Sequence, residues 1–354
     1  MNDPVAELPS APPAERVATP PRERRRWPRR VTTVLFCLGL LLSATAVLLP
    51  FRTNFEGGLY DLFATLVFFA RVFVLPIAAL WLILAIFTAI TRQWHLAIAS
   101  TLFALAWAAP EAWLAWPRSP TIDGPTFTVA SFNLNKDLHD ATWAAEVMRQ
   151  MNADFVVLQE LSPHSAEQIE QSVGTLYPHR RMFPDPDYNG MAVLSKTPLT
   201  LLHKPQGYLH RDLQVIASDH GHEFRLLDLH LAPPQMMEKR RWNRFQTTAL
   251  IEQLSAESRP TILAGDYNFT ALSQQAFALR SAGFPDAHLQ AGRGRESTWP
   301  MNGGLSFVPS VRIDTVYARG LLHAVKSERG PRIGSDHLPI KITWCWSAAA
   351  TTQP

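Results

Sequence analysis

With 354 residues, 47% of them hydrophobic, and a net charge of only +3, the chain has room for one sizeable domain and additional segments, and it lacks the strong basicity of a long duplex-binding surface. Two cysteines, Cys37 and Cys345, exclude a disulfide framework and a cysteine zinc site. The averages hide two unlike parts: residues 31–116 are long apolar runs with few charges, and residues 126–346 are a mixed, charged sequence.

Residues 1–30 are rich in Pro, Ala and Arg without apolar periodicity and read as a disordered basic tail ending in Arg22, Arg24, Arg25, Arg26, Arg29 and Arg30. Three apolar runs follow, at about 31–49, 72–90 and 95–116, each near the length that spans a bilayer core. Trp94, Trp107, Trp113 and Trp116 flank or end the third, as interfacial tryptophans do. The arginine cluster before the first run predicts a cytoplasmic N-terminus, and three spans place everything beyond Trp116 on the other side. That topology is an integral protein of a bacterial inner membrane with a periplasmic or extracellular domain. A signal peptide cleaved near Ala44-Thr45-Ala46 is the alternative, and two spans instead of three would leave the domain in the cytoplasm.

After a proline-containing linker, 117–125, short β runs alternate with helical stretches until the tail at 347–354. Strands are predicted at Phe127–Phe132, Phe155–Leu158, Met191–Leu194, Leu213–Ala217, Phe224–His230, Thr261–Gly265, Val311–Tyr317 and Ile340–Trp344, with helices at Asp140–Met151, Met236–Leu254 and Ser273–Ala282. The pattern is a layered α/β domain with mixed sheets.

Polar groups collect where these strands end. Asn133 follows the first strand, Glu160 the second, His230 closes the strand ending Asp228-Leu229-His230, and Asp266 and Asn268 follow the buried run at 261–265. Arg312-Ile313-Asp314 and Ser335-Asp336-His337 come later. Each has a bland reading as a turn or a satisfied core polar group. Meeting at one place, they would form an oxygen-rich, negatively charged hole suited to a hard cation, Mg2+ or else Mn2+ or Ca2+.

The stretches SFNLN, VVLQE, NGMAVLSKTPL, LDLHL, LAGDYN, RIDTVY and GSDHLPI, in this order over about Thr128–Ile340, resemble the endonuclease/exonuclease/phosphatase superfamily. That superfamily includes pancreatic-type deoxyribonucleases, apurinic-site endonucleases, neutral sphingomyelinases and inositol polyphosphate phosphatases. The resemblance implies a four-layered α/β sandwich, two mixed β-sheets flanked by helices, here preceded by about three transmembrane helices. It also implies roles. Glu160 is the metal-binding glutamate, with Asp336 and Asn133 beside the metal, and Asn133 also near the phosphate. Asp266 orients or deprotonates the attacking water, and Asn268 binds a phosphoryl oxygen. His337 stands at the scissile phosphate with Asp314 orienting it, and His230 is the second histidine of the deoxyribonuclease and sphingomyelinase branches. Tyr267 replaces a commoner phenylalanine, and the group that orients His230 is not legible in the sequence. Within Lys239-Arg240-Arg241-Trp242-Asn243-Arg244, Arg244 is the expected substrate contact, the rest reading as a solvated or lipid-facing helix side.

The expected function is metal-assisted hydrolysis of a phosphoester, in nucleic acid, a phospholipid head group or a small molecule, by a membrane-anchored enzyme with no obligate protein partner evident. The alternative is a catalytically inactive membrane scaffold that retains the fold. A channel or transporter has little support, since Arg71 is the sole charge candidate within the spans.

Overall fold

The computed structural model describes residues 30–40, 74–118, 120–206, 211–233, 237–301 and 311–347. The basic tail up to Arg29, the second half of the first apolar run with Ala44-Thr45-Ala46, Arg71 and the tail after Ser347 lie outside the described residues.

Three apolar helices come first: α1 (Arg30–Leu40), α2 (Val74–Ile90) and α3 (Trp94–Leu114). Trp81 of α2 stacks on Phe103 of α3 at 4.8 Å, and Phe36 of α1 meets Trp81 edge-on at 5.7 Å. Away from this seam Leu80, Ile83, Ile86, Ile90, Ile98, Leu102 and Leu105 all face outward. Among the described residues α3 is the one helix long and apolar enough to cross a membrane. The expectation of three spans is therefore met at full length by one. The 17 described residues of α2 rise about 25 Å.

The rest is built on two mixed sheets. The first sheet has the order β10-β11-β1-β2-β4-β3, from β1 (Thr126–Asn133), β2 (Phe155–Gln159), β3 (His179–Phe183), β4 (Met191–Ser195), β10 (Leu322–Arg329) and β11 (Ile340–Trp346). The second has the order β5-β6-β7-β8-β9, from β5 (Thr200–His203), β6 (Asp212–Asp219), β7 (His222–His230), β8 (Thr261–Asp266) and β9 (Asp314–Arg319). Each sheet contains one parallel pair, β1–β2 and β7–β8, flanked by antiparallel neighbours. The strand predicted at Val311–Tyr317 begins later than expected. Val311 only bridges Trp299, and regular pairing starts at Asp314.

Alternation along each strand sorts side chains into separate cores. Phe127, Val129, Phe155 and Val157 meet Phe224, Leu226, Ile262 and Ala264 between the sheets. On the outer face of the first sheet, Phe132, Val156 and Leu158 pack with α4 (Thr142–Met151) and α5 (Pro163–Val173). On the outer face of the second, Leu227, Leu229 and Leu263 pack with α6 (Met237–Leu254) and α7 (Gln274–Ser281). A short helix, α8 (Ala287–Ala291), follows. The result is helix, sheet, sheet, helix.

One buried ion pair ties the base of β9 to α8. Arg312 reaches Asp286 at 2.8 Å, both side chains under one-tenth exposed, and Asp286 also accepts from His288 N at the start of α8. Arg312→Leu would strand the Asp286 carboxylate in a dry interior. The expected cost is about 3–5 kcal/mol of unfolding free energy, read as a lower urea midpoint with an unchanged slope.

Candidate active site

The two parallel pairs point their carboxyl ends toward the same place, and the polar strand ends meet there. Asn133 lies opposite Gln159 in the β1–β2 register, and His230 lies opposite Asp266 in β7–β8. Across the gap between sheets, Asn133 Nδ2 donates to Asp266 Oδ2 at 3.0 Å and to Glu160 Oε1 at 3.3 Å. The close approach of β8 to β7 explains the glycine in Gly-Asp-Tyr-Asn. Gly265 has φ 147°, and a Cβ there would lie 1.9 Å from the Leu229 carbonyl oxygen.

The local backbone at the site is bent by its own side chains. Asn133 Oδ1 accepts from Asn135 N, and Asp266 Oδ1 accepts from Asn268 N. Asn135, Glu160 and Asn268 all have positive φ, 60°, 53° and 53°. Asparagine tolerates this conformation, but glutamate is strained in it. Glu160 is held there with Oε2 accepting from Lys136 N at 3.1 Å. Such strain concentrates at functional sites.

The two histidines differ in charge state. His337 Nδ1 donates to Asp314 Oδ2 at 2.9 Å, and its Nε2 lies 3.9 Å from Asp266 Oδ2. Burial opposes its charged form, but Asp314, Asp266 and Asp336 together outweigh it and raise its pKa to about 10. His230 Nδ1 donates to the Tyr188 carbonyl at 3.0 Å, which fixes the tautomer and leaves Nε2 facing Glu160 Oε1 at 3.6 Å and Asp266 Oδ2 at 3.8 Å. Burial, with the Arg211 and His337 cations, lowers its pKa to about 3, so it is neutral. As a neutral ring with Nδ1 committed to the Tyr188 carbonyl, it offers a lone pair at Nε2.

The carboxylates show the opposite imbalance. Burial raises Asp266 to about 8, with His337 lowering it and Asp314 and Glu160 pushing it further up. Burial likewise raises Glu160, against the hydrogen bond from Lys136 N, with Asp336 adding to the rise. More negative charge is gathered than the local cations balance, and the donor atoms around Glu160, Asn133 and Asp336 are hard oxygens. This is the environment a divalent cation fits. Asp266, Asp314 and His337 also offer ligand atoms within 4.8 Å of one another. Asp314 is committed to His337, however, so Glu160 and Asp336 are the better-placed ligands.

Asp336 is anchored by Asn135 Nδ2 at 2.8 Å and the Trp299 indole N–H at 3.4 Å. Asn268 Nδ2 donates to the Leu231 carbonyl and, at 3.3 Å, to Asp266 Oδ2. Its second donor must leave Asp266 to reach a phosphoryl oxygen. Glu160, His230, Asp266, Asn268, Asp336 and His337 thus line one cavity of about 330 Å³, and Asn133 and Asp314 stand behind that lining, bonded to Glu160, Asp266 and His337.

Arg244 does not line this cavity, whereas Lys239 does. Five residues along a helix is a rotation of about 140°, so the two cannot share a face. Asn243 of the same helix is buried and donates to the Ala232 and Tyr267 carbonyls, which fixes the helix's orientation. Lys239→Ala is expected to raise KM for an anionic diester about tenfold with little change in kcat. Arg244→Ala should stay within about twofold in the same steady-state assay.

Sequence reasoning also missed Tyr188, Arg211 and Asn135. Arg211 is buried in the cavity wall, its Nε donating to Asn189 Oδ1 at 3.0 Å. The signal for Tyr188 and Asn189 was present in the stretch YNGMAVLS. Trp299 is a half-buried residue at the rim of the cavity.

A second cluster, Asp123, His323 and Cys345, brings ligand atoms within 4.8 Å. The His323 ring nitrogens already face Ser347 Oγ and the Thr121 carbonyl.

A model of the Endonuclease/Exonuclease/phosphatase family matches residues 130–337. The chain belongs to this family. Its members are hydrolytic nucleases and phosphatases that use divalent metals. The matched residues run from β1 through His337 and so enclose the whole cavity. No curated protein matches the chain. Among solved structures, an endonuclease/exonuclease/phosphatase from Beutenbergia cavernae is similar, with 18% identity and a TM-score of 0.50 over 63% of this chain and 72% of that one. Truncated Caenorhabditis elegans TDP2 is 19% identical with a TM-score of 0.49 over 64% of this chain and 100% of that one. D. rerio TDP2 complexed with single strand DNA product is 18% identical with a TM-score of 0.49 over 62% and 98%. At these identities the likeness is one of fold.

Proposed function

We propose that this protein is a membrane-anchored, divalent-metal-dependent phosphodiesterase that hydrolyses its substrate by in-line attack of water. The observation that carries this reading is Asp266. One buried carboxylate accepts from Asn133, stands beside a charged His337 and a neutral His230, and lines an open cavity.

Asp266 is the group that takes the proton from water. His337, kept charged by Asp314, presents Nε2 to a phosphoryl oxygen as negative charge grows there. Lys239 and Arg211 draw the anionic substrate into the cavity. Neutral His230, held by the Tyr188 carbonyl, can accept at Nε2 from the attacking water or its neighbour without adding repulsion. A divalent cation held by Glu160 and Asp336, with Asn133 beside it, would neutralise the diester and stabilise the leaving oxygen.

Purified protein should cleave bis-p-nitrophenyl phosphate with Mg2+, lose activity with chelator and regain it when Mg2+ is restored. Glu160→Gln is expected to raise the Mg2+ concentration for half-maximal rate about 10–100-fold. A chelator-resistant rate would sink the metal-dependent reading. A panel of DNA, RNA, sphingomyelin and inositol phosphates then identifies the substrate class, with the family scaffold alone neutral among them.

The anchoring part of the reading rests on α1–α3, whose outward faces are apolar around an aromatic seam, and on the arginine-rich segment before α1. It places the N-terminus in the cytoplasm and the domain outside it. A reporter fused after Ala349 should then be active only outside the cytoplasm, and a cytoplasmic signal would reverse the topology.

A further inference from the structure

The end of α3 is seated in the hydrolase domain. Gly294 N donates to the Ala115 carbonyl at 3.0 Å, Arg118 N donates to the Gly292 carbonyl at 3.1 Å, and Arg295 pairs with Glu111 at 3.2 Å. Arg118 turns its guanidinium back onto the carbonyls of Trp113 and Trp116, at 3.1 and 2.8 Å, and lies over the Trp113 ring. The position of the domain relative to the helix end is therefore built in.

At this junction, between the helix end, the segment after α8 and edge strand β10, a cleft of about 960 Å³ opens. Arg118, Arg293, Arg295, Lys326 and Arg329 line it. Of its two carboxylates, Glu296 is turned inward to His288 and Ser327, and Glu328 is paired with Lys326 at 2.8 Å. Arg293 is exposed and makes no ion pair or hydrogen bond among the described residues. The cleft shares no lining residue with the active-site cavity. Trp113 and Trp116, whose carbonyls accept from the Arg118 guanidinium of the cleft, are 55% and 69% exposed, and exposed indoles mark a membrane–water interface.

We propose that this cleft binds a phosphate-bearing anion, and that its source is the head group of an anionic phospholipid. Guanidinium groups match phosphate oxygens in pairs, and a cationic cleft at the exit of an apolar helix meets the leaflet surface before it meets a soluble ligand. The choice of lipid rests on the membrane-anchored reading. The binding of phosphate itself does not.

The test uses the full chain in dodecyl maltoside, titrated calorimetrically with short-chain dihexanoyl phosphatidylglycerol, dihexanoyl phosphatidylcholine and glycerol phosphate. Phosphatidylglycerol is expected to bind at least about tenfold more tightly than the other two. Arg293→Glu with Lys326→Glu should remove that preference while hydrolysis of bis-p-nitrophenyl phosphate stays within about twofold. The milder pair Arg293→Gln with Lys326→Gln should weaken binding part-way and guards against a folding defect. Equal binding of phosphatidylglycerol and phosphatidylcholine, or binding indifferent to charge reversal, overturns the site. Glycerol phosphate binding as tightly as phosphatidylglycerol overturns the lipid assignment. Release of the chain from membranes by alkaline carbonate is a separate result that rejects anchoring and leaves the detergent titration to stand on its own.

Discussion

Asp266→Asn is expected to lower kcat on a phosphodiester about 10³-fold while leaving the fold intact. The amide preserves shape and can still accept from Asn268 N, but it takes no proton. A second consequence separates this role from a structural one. Burial raises the Asp266 carboxyl from 3.8 to about 8, so in metal-free protein the folded state holds a proton that the unfolded chain gives up. That acid favours folding below its ordinary pKa, and the benefit is lost as pH rises through the folded value. In chelator, the parent should lose stability between about pH 4 and pH 8, and Asp266→Asn should lack that slope. At pH 7 the inactive variant should melt no lower than the parent. A variant that is both inactive and strongly destabilised would mean that Asp266 holds the sheets together instead of serving the reaction.

His337 supplies the second large effect, and its partner gives the sharper test. Asp314→Asn is expected to cost about 10²–10³ in kcat, because His337 loses the carboxylate that orients it and keeps it charged. Without that charge burial gains the upper hand, and the His337 pKa falls from about 10. The alkaline fall in rate should therefore move to lower pH in Asp314→Asn and be absent in His337→Gln, whose residual rate should be flat in that range. A pH profile unchanged by Asp314→Asn would detach His337 from the alkaline limb of the rate profile.

The strands legible in the sequence are those whose burial writes a pattern. Phe155–Leu158 and Thr261–Gly265 are unbroken apolar runs because β2 and β8 are central and covered on both faces. The three strands that escaped notice, β3, β5 and β10, are sheet edges. Edge strands carry charge to discourage further pairing, so His179-Arg180-Arg181 and Lys326, Glu328 and Arg329 in β10 lack an apolar signature. The helix α5 did leave a signal, Ser162 as cap with Pro163 behind it and Ile169 and Val173 one turn apart on a buried face.

The sequence by itself determined the identity of the chemistry: carboxylates, amides and imidazoles at strand ends, in an order resembling one family, and apolar runs set apart from a mixed domain. Those features are local, since each is a residue type beside a pattern of period two or an uninterrupted run. Only the tertiary structure decided which groups share charge and protons. Asn133 and Asp266 are far apart in sequence and 3.0 Å apart in space. The Tyr188 carbonyl selects the His230 tautomer, and helix phase admits Lys239 while turning Arg244 away. The seating of α3 on the segment after α8 likewise exists only once the chain has folded. Backbone carbonyls, helix rotation and desolvation act through distance and burial, and neither quantity is carried by a residue's name.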